Sequence, residues 1–164
     1  MKDIPEKTNA VRLLTQKKIK FTTHSYASST DNAVSGTEVA SILGQNVDDV
    51  FKTLVTVGKS EEHYVFVVPV AKELDLKKAA KAVGEKSIDM VKSKELLGLT
   101  GYIHGGCSPI GMKKFFRTVF DISAEKREKI FFSGGRIGLQ IETSPEEIKK
   151  VIRFEYADIT KAEE

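Results

Sequence analysis

Residues 50–70 read VFKTLVTVGKSEEHYVFVVPV. Two apolar runs flank a polar stretch with one glycine. In the first run Phe51, Thr53, Val55 and Val57 alternate, which predicts a strand with these residues on one face. The second run, Tyr64–Val70, is almost continuously apolar and predicts a strand inside a sheet. The loop Gly58–Glu62 joins them as an antiparallel hairpin. Lys52 stands out: lysine is depleted in strands and rarely buried without a partner. It shares a face with Leu54 and Thr56. There it either faces water as a guard on an edge strand, or turns a half-buried ammonium toward a cleft. In a cleft it could hold a carbonyl oxygen or a phosphate.

Outward from the hairpin, short helices and strands intermingle. Thr8 caps a helix with an apolar stripe at Ala10, Val11, Leu13 and Leu14. Phe21–Tyr26 reads as a strand. Ser35 and Glu38 form a capping box, and Gly44 ends that helix. Asp75 caps a helix bearing Leu76, Ala79, Ala80 and Val83, with Lys77, Lys78 and Lys81 on its outer face. Ser87–Val91 reads as a short strand and Ser93–Leu97 as a short helix. Arg117–Asp121, Ile130–Ser133 and Ile137–Thr143 read as strands, with a charged helix at Ser123–Lys129. Ser144, Pro145 and Glu147 open a last helix with a second capping box. No regular βαβ rhythm emerges. The expected fold is therefore α/β (α+β): one domain over residues 1–164, with a mixed or mostly antiparallel sheet and helices around it.

The stretch TGYIHGGCSPIG, residues 100–111, contains four of the chain's twelve glycines. A cluster this dense suits neither a helix nor a strand interior. It reads as a shaped loop, and such loops on rigid scaffolds often carry function. A second glycine motif, SGGRIG at 133–138, is a hairpin turn whose Ser133 and free amides could face the same cleft. Neither is a phosphate loop followed by GK[ST], nor a dinucleotide fingerprint. Cys107 invites a nucleophile reading, with His24, His63 or His104 as base. A small side chain filling space beneath the loop is the simpler one.

Composition excludes several classes. No apolar run approaches the roughly 20 residues that span a bilayer. The start, MKDIPEKTNA, has no apolar signal region. The single cysteine rules out an internal disulfide and fits a reducing cytoplasm. Three histidines and one cysteine, scattered, have no metal-ligand spacing. Lys plus Arg is 26 against 23 for Asp plus Glu, a net charge of +3 that permits a polyanionic partner without requiring one. The local clusters Lys77–Lys81 and Lys113–Arg117 are candidate phosphate contacts or solvated faces.

Taken in order, KTNAVRLL (7–14), HSY (24–26), VFKTLV (50–55), VPVAKELDLKKAAKAVG (68–84), TGYIHGGCSPIG (100–111), SGGRIGLQIE (133–142) and FEYADI (154–159) resemble one family. It is the YbaK/EbsC family of free-standing trans-editing enzymes, related to the editing domain inserted in bacterial prolyl-tRNA synthetase. The resemblance implies a barrel-like mixed sheet and a cytoplasmic deacylase of Cys-tRNA(Pro) that needs no cofactor. It implies as partners the tRNA(Pro) acceptor end and prolyl-tRNA synthetase, with no membrane. Lys52 matches the lysine thought essential. Tyr26 and Ser133 match pocket-lining residues, and Gly105 and Gly106 match the loop around the aminoacyl ester and terminal adenosine. Ser108, Gly134 and Gln140 complete the expected substrate-binding set. Many members have an acidic residue where Gln140 stands and a basic one where Ile137 stands. The family chemistry uses the thiol of the bound cysteine as nucleophile. Two alternatives keep the same pocket: a non-catalytic binder of nucleotides or the acceptor end, and an accessory factor active only with the synthetase.

Overall fold

The computed structural model describes residues 7–26 and 35–162. Along the chain lie α1 (Asn9–Gln16), β1 (Thr22–Ser25), α2 (Gly36–Leu43), β2 (Phe51–Gly58), β3 (His63–Pro69) and α3 (Leu76–Val83). They are followed by β4 (Ile88–Met90), α4 (Ser93–Thr100), β5 (Arg117–Asp121), β6 (Ile130–Ser133), β7 (Leu139–Thr143), α5 (Pro145–Ile148) and β8 (Glu155–Ala157).

The hairpin of residues 50–70 forms as expected. β2 and β3 pair antiparallel from Phe51↔Pro69 to Val57↔His63. They sit inside a five-stranded mixed sheet ordered β4-β2-β3-β5-β8, in which β3–β5 and β5–β8 are parallel. A second, antiparallel sheet is ordered β1-β7-β6. One parallel bridge, Val50↔Phe131, links the sheets. They do not close into a barrel, so the barrel-like expectation holds only as two sheets sharing a core.

The apolar pattern explains the layers. Phe51, Val55, Val65, Val67 and Phe120 meet Ile130, Phe132 and Ile141 of the second sheet, with Ala10 and Leu14 of α1. On the opposite face Tyr64, Phe66 and Val68 pack with Leu74, Ala79, Val83 and Ile159 beneath α3. β3 is apolar at nearly every position because both its faces are covered. Thr56, fully buried, satisfies its hydroxyl by donating to the Tyr64 carbonyl at 2.9 Å.

Caps follow the sequence. Thr8, Ser35 and Asp75 each accept from the first turn of their helix, and the Ser35–Glu38 box is complete. Two details differ. Glu147 does not close a box on Ser144: its carboxylate accepts from the Lys20 amide at 3.1 Å and pairs with Lys150 at 2.9 Å. The charged helix at Ser123–Lys129 is a 3-10 turn, Ile122–Lys126, because Asp121 caps Ser123 and Asp49 draws Arg127 away at 2.9 Å. No helix among the described residues is long and apolar enough to cross a membrane.

Candidate active site

A cavity of about 360 Å³ opens between β2, the second sheet, the glycine loop and the start of α2. That volume lies within the range of small-molecule sites. Stretches far apart in the chain build it. Tyr26 comes from the end of β1, extending the β1–β7 ladder by donating its amide to the Gly138 carbonyl at 2.9 Å. Ser133 ends β6, and Gln140 lies opposite it on β7. Gly105 and His104 come from the glycine loop, and Lys52, Thr53 and Leu54 from β2. The wall thus gathers Lys52, Tyr26, Gly105, Ser133 and Gln140.

Close backbone approach shapes the walls. A Cβ on Gly36 would stand 2.3 Å from Val70 Cγ1, so only glycine lets α2 begin against the end of β3. A Cβ on Gly106 would stand 2.9 Å from the Arg136 Cα and 3.1 Å from the Ile137 nitrogen. The two glycine motifs are therefore in direct backbone contact. Gly106 shapes the loop and does not line the cavity. Ser108 is fully buried, and its hydroxyl accepts from the Ile110 amide at 3.3 Å. Gly134 donates to the Leu139 carbonyl at 2.8 Å, and its own carbonyl accepts from Thr8. Ser108 and Gly134 thus hold the loop and the turn, away from the cavity surface, because their hydrogen bonds are spent inside the fold. Tyr102 ties the loop further, donating to the Ile110 carbonyl at 2.6 Å.

Lys52 is half-buried at the seam of this cavity and a second one on the Leu54 side of β2. Burial pulls its ammonium below the ordinary lysine range, and the Glu73 carboxylate pulls the other way. Among the described residues no hydrogen bond or ion pair engages it. It is the charged residue of the described cavity wall. Cys107 sits at 7% exposure, and burial pushes its thiol up to about 12. A thiolate there is strongly disfavoured near neutral pH, which suits the space-filling reading.

Two features were not anticipated. Thr53 Oγ1 is buried in the cavity wall and has no hydrogen-bond partner among the described residues. Its only signal in sequence is a hydroxyl between Phe51 and Val55 on the core face. Gln140 does not reach freely into the cavity. Its amide pairs reciprocally with that of Gln45 at 2.6 and 3.0 Å. No local pattern links two glutamines so far apart. Of the basic clusters, Arg117 is held by Glu155 at 2.9 Å and Lys78 by Asp158 at 3.2 Å, whereas Lys77 lies on the rim of the second cavity.

A cavity that combines apolar side chains with one ammonium, hydroxyls and amides suits a small molecule with both polar and apolar parts. Residues 30–151 match the aminoacyl-tRNA editing domain family. Over 99% of its length the chain is 44% identical to an Enterococcus faecalis protein named "Putative Cys-tRNA(Pro)/Cys-tRNA(Cys) deacylase EbsC", covering 98% of that protein. Two solved structures share the fold. One, a "putative trans-editing enzyme for prolyl tRNA synthetase", superimposes with a TM-score of 0.82 at 24% identity, covering 98% of this chain and all of the other. The other, hypothetical protein APE2540, gives 0.83 at 22% identity over 93% of this chain and 99% of its own. The chain belongs to the aminoacyl-tRNA editing domain family.

Proposed function

We propose that this chain is an aminoacyl-tRNA deacylase whose substrate is tRNA(Pro) mischarged with cysteine. Prolyl-tRNA synthetase is its source of substrate, since proline and cysteine are similar in size and an apolar pocket separates them poorly. The observation that carries the reading is Lys52: a half-buried ammonium, unpaired among the described residues, lining a cavity whose walls mix apolar side chains with hydroxyls and amides.

In this mechanism the cavity takes the aminoacyl ester and terminal adenosine of the acceptor end. Ser133, Tyr26 and the Gly105 backbone hold the ester, and Gln140 walls the side-chain pocket. The thiol of the bound cysteine attacks its own carbonyl carbon. The sulfur–carbon bond forms as the carbon–oxygen bond to the ribose breaks, and the thiol proton ends on the ribose oxygen. Free tRNA and a cyclic thiolactone leave. Lys52 stabilises the negative charge that develops on the oxygens, and confinement supplies orientation. The raised thiol of Cys107 supports a substrate nucleophile over a protein one.

The test is a deacylation panel: tRNA(Pro) charged with Cys, Ala or Pro, and Cys-tRNA(Cys), each with and without prolyl-tRNA synthetase. Fast release from Cys-tRNA(Pro) supports the reading. No release from any substrate leaves a binding protein. Release only with the synthetase makes it an accessory factor.

A further inference from the structure

The second cavity, about 650 Å³, adjoins the first along β2. Lys52 and Leu54 line both. Among the described residues, β2 has an open edge beside them. β4 pairs only with Thr56–Gly58, and the link to β6 is the single bridge at Val50. Val91 donates to the Val55 carbonyl from that side, so Thr53, two residues earlier, turns its backbone amide and carbonyl to the same edge. Because Lys52 and Leu54 line both cavities, a chain leaving the first past these side chains enters the second.

The second cavity has an apolar shelf and a charged rim. Leu76 and Met90, 38% and 45% exposed, flank it together with Leu54. Three ammonium groups, Lys52, Lys77 and Lys161, face two carboxylates. Both carboxylates are engaged: Asp75 caps α3, accepting from the Lys77 and Lys78 amides at 2.9 and 3.0 Å, and Glu73 pairs with Lys161 at 3.2 Å. That last pair is exposed and weak, so a phosphate can displace Glu73 from Lys161. Flat apolar faces joined by regularly spaced negative charges are the chemistry of single-stranded nucleic acid.

Resting on the deacylase reading for the first cavity, we propose that the second cavity seats the single-stranded nucleotides preceding the terminal adenosine. Leu76 and Met90 receive a base, and Lys77 and Lys161 hold phosphates. Lys52 stands where the strand crosses from one cavity to the other. Continuity with the first cavity and the charge of the rim favour RNA over a protein partner.

The experiment compares wild type with Lys77→Glu/Lys161→Glu, Lys77→Gln/Lys161→Gln and Leu76→Ser/Met90→Ser in the full chain. Two substrates are used, cysteinyl-adenosine and a cysteinyl minihelix ending in CCA. Binding of a labelled, uncharged CCA-ending oligonucleotide is measured in parallel, with a glutamate-rich peptide as competitor. The advantage of the minihelix over cysteinyl-adenosine in kcat/KM should fall about tenfold in each variant. Oligonucleotide binding should weaken likewise. In the lysine variants the slope of log affinity against log salt should shrink by about 1.4, for two single-strand phosphates. An unchanged ratio with unchanged oligonucleotide binding overturns the proposal, as does effective competition by the peptide. Wild type that binds the oligonucleotide through these residues yet cleaves neither ester sinks the deacylase reading and leaves the groove assignment standing.

Discussion

Gln45 and Gln140 hold each other by two amide hydrogen bonds, 2.6 and 3.0 Å long, at the wall of the first cavity. Gln140 is only 3% exposed. The pair stiffens β7 against the segment after α2 and keeps that wall neutral. Gln140→Ala leaves the Gln45 amide without its partner, and the loss should be about 1–3 kcal/mol in urea unfolding. The double change Gln45→Ala/Gln140→Ala should cost less than the sum of the single ones. Additive losses would show that the two amides act independently.

Lys52→Ala should remove most deacylation of Cys-tRNA(Pro), at least about a hundredfold in kcat, the scale of losing one donor to a developing oxyanion. Its circular dichroism and melting should stay near wild type, since a half-buried charge is removed and no ion pair with the described residues is broken. Lys52→Arg should recover little, because a planar guanidinium does not replace a compact ammonium in a confined seam. Near wild-type turnover in folded Lys52→Ala would remove Lys52 from the chemistry.

The pH profile carries the signature of the same residue. Burial lowers the Lys52 pKa, so its charge is lost at a lower pH than that of a free lysine. Activity that needs the ammonium should therefore decline on the alkaline side below the ordinary lysine range of about 10.4. The stability effect has the opposite sign. The unfolded chain holds this proton more tightly, so between the folded and the unfolded pKa Lys52 favours folding increasingly as pH rises. Rate profiles of wild type and Lys52→Arg check this. An alkaline limb that is identical in both would assign it to another group.

Cys107→Ala should keep most activity. The buried thiol of the wild type should react slowly with iodoacetamide at pH 8, and no acyl-enzyme should be trapped by mass spectrometry. Ser-tRNA(Pro) should be cleaved far more slowly than Cys-tRNA(Pro), since a hydroxyl is the poorer nucleophile. Because burial raises the thiol pKa from 9.0 to about 12, its contribution to stability is present below pH 9 and lost as pH rises toward 12. Trapped acyl-enzyme, with activity abolished in folded Cys107→Ala, would make the protein thiol the nucleophile.

Gly106→Ala tests the contact between the two glycine motifs. Its Cβ would press on the Arg136 and Ile137 backbone, which cannot rotate aside as a side chain can. A destabilisation of about 1–3 kcal/mol is expected, with a raised KM as Gly105 and His104 shift. A melting temperature and KM equal to wild type would show that the loop moves freely.

Much of the fold was legible in residues 50–70 and in the caps. Alternation along β2, continuous apolarity along β3 and the Ser35–Glu38 box are statements about neighbours a few residues apart, and such chemistry acts within one element. The glycine density of residues 100–111 likewise marked a shaped loop. The carboxylate of Glu147 was misjudged because its competitor, the Lys20 amide, comes from a distant part of the chain. Ser108 stands in the loop expected to bind substrate, yet the fold turns its hydroxyl inward to the Ile110 amide.

Most strands, though not β8, together with most of the caps, the two glycine motifs and Lys52 as the anomalous charge, could be read from local sequence, because periodicity and local hydrogen bonding encode these. Which side chains share a cavity depends on the packing of distant segments. Tyr26, Lys52, Gly105, Ser133 and Gln140 meet because two sheets pack across one core and the glycine loop lies directly on the SGGRIG turn. Only the fold pairs Gln45 with Gln140 and, among the described residues, leaves Thr53 Oγ1 without a partner. Among the described residues, it is the fold that leaves the edge of β2 open, with Lys52 shared by two cavities. Long-range packing sets those relations, and no local pattern carries them.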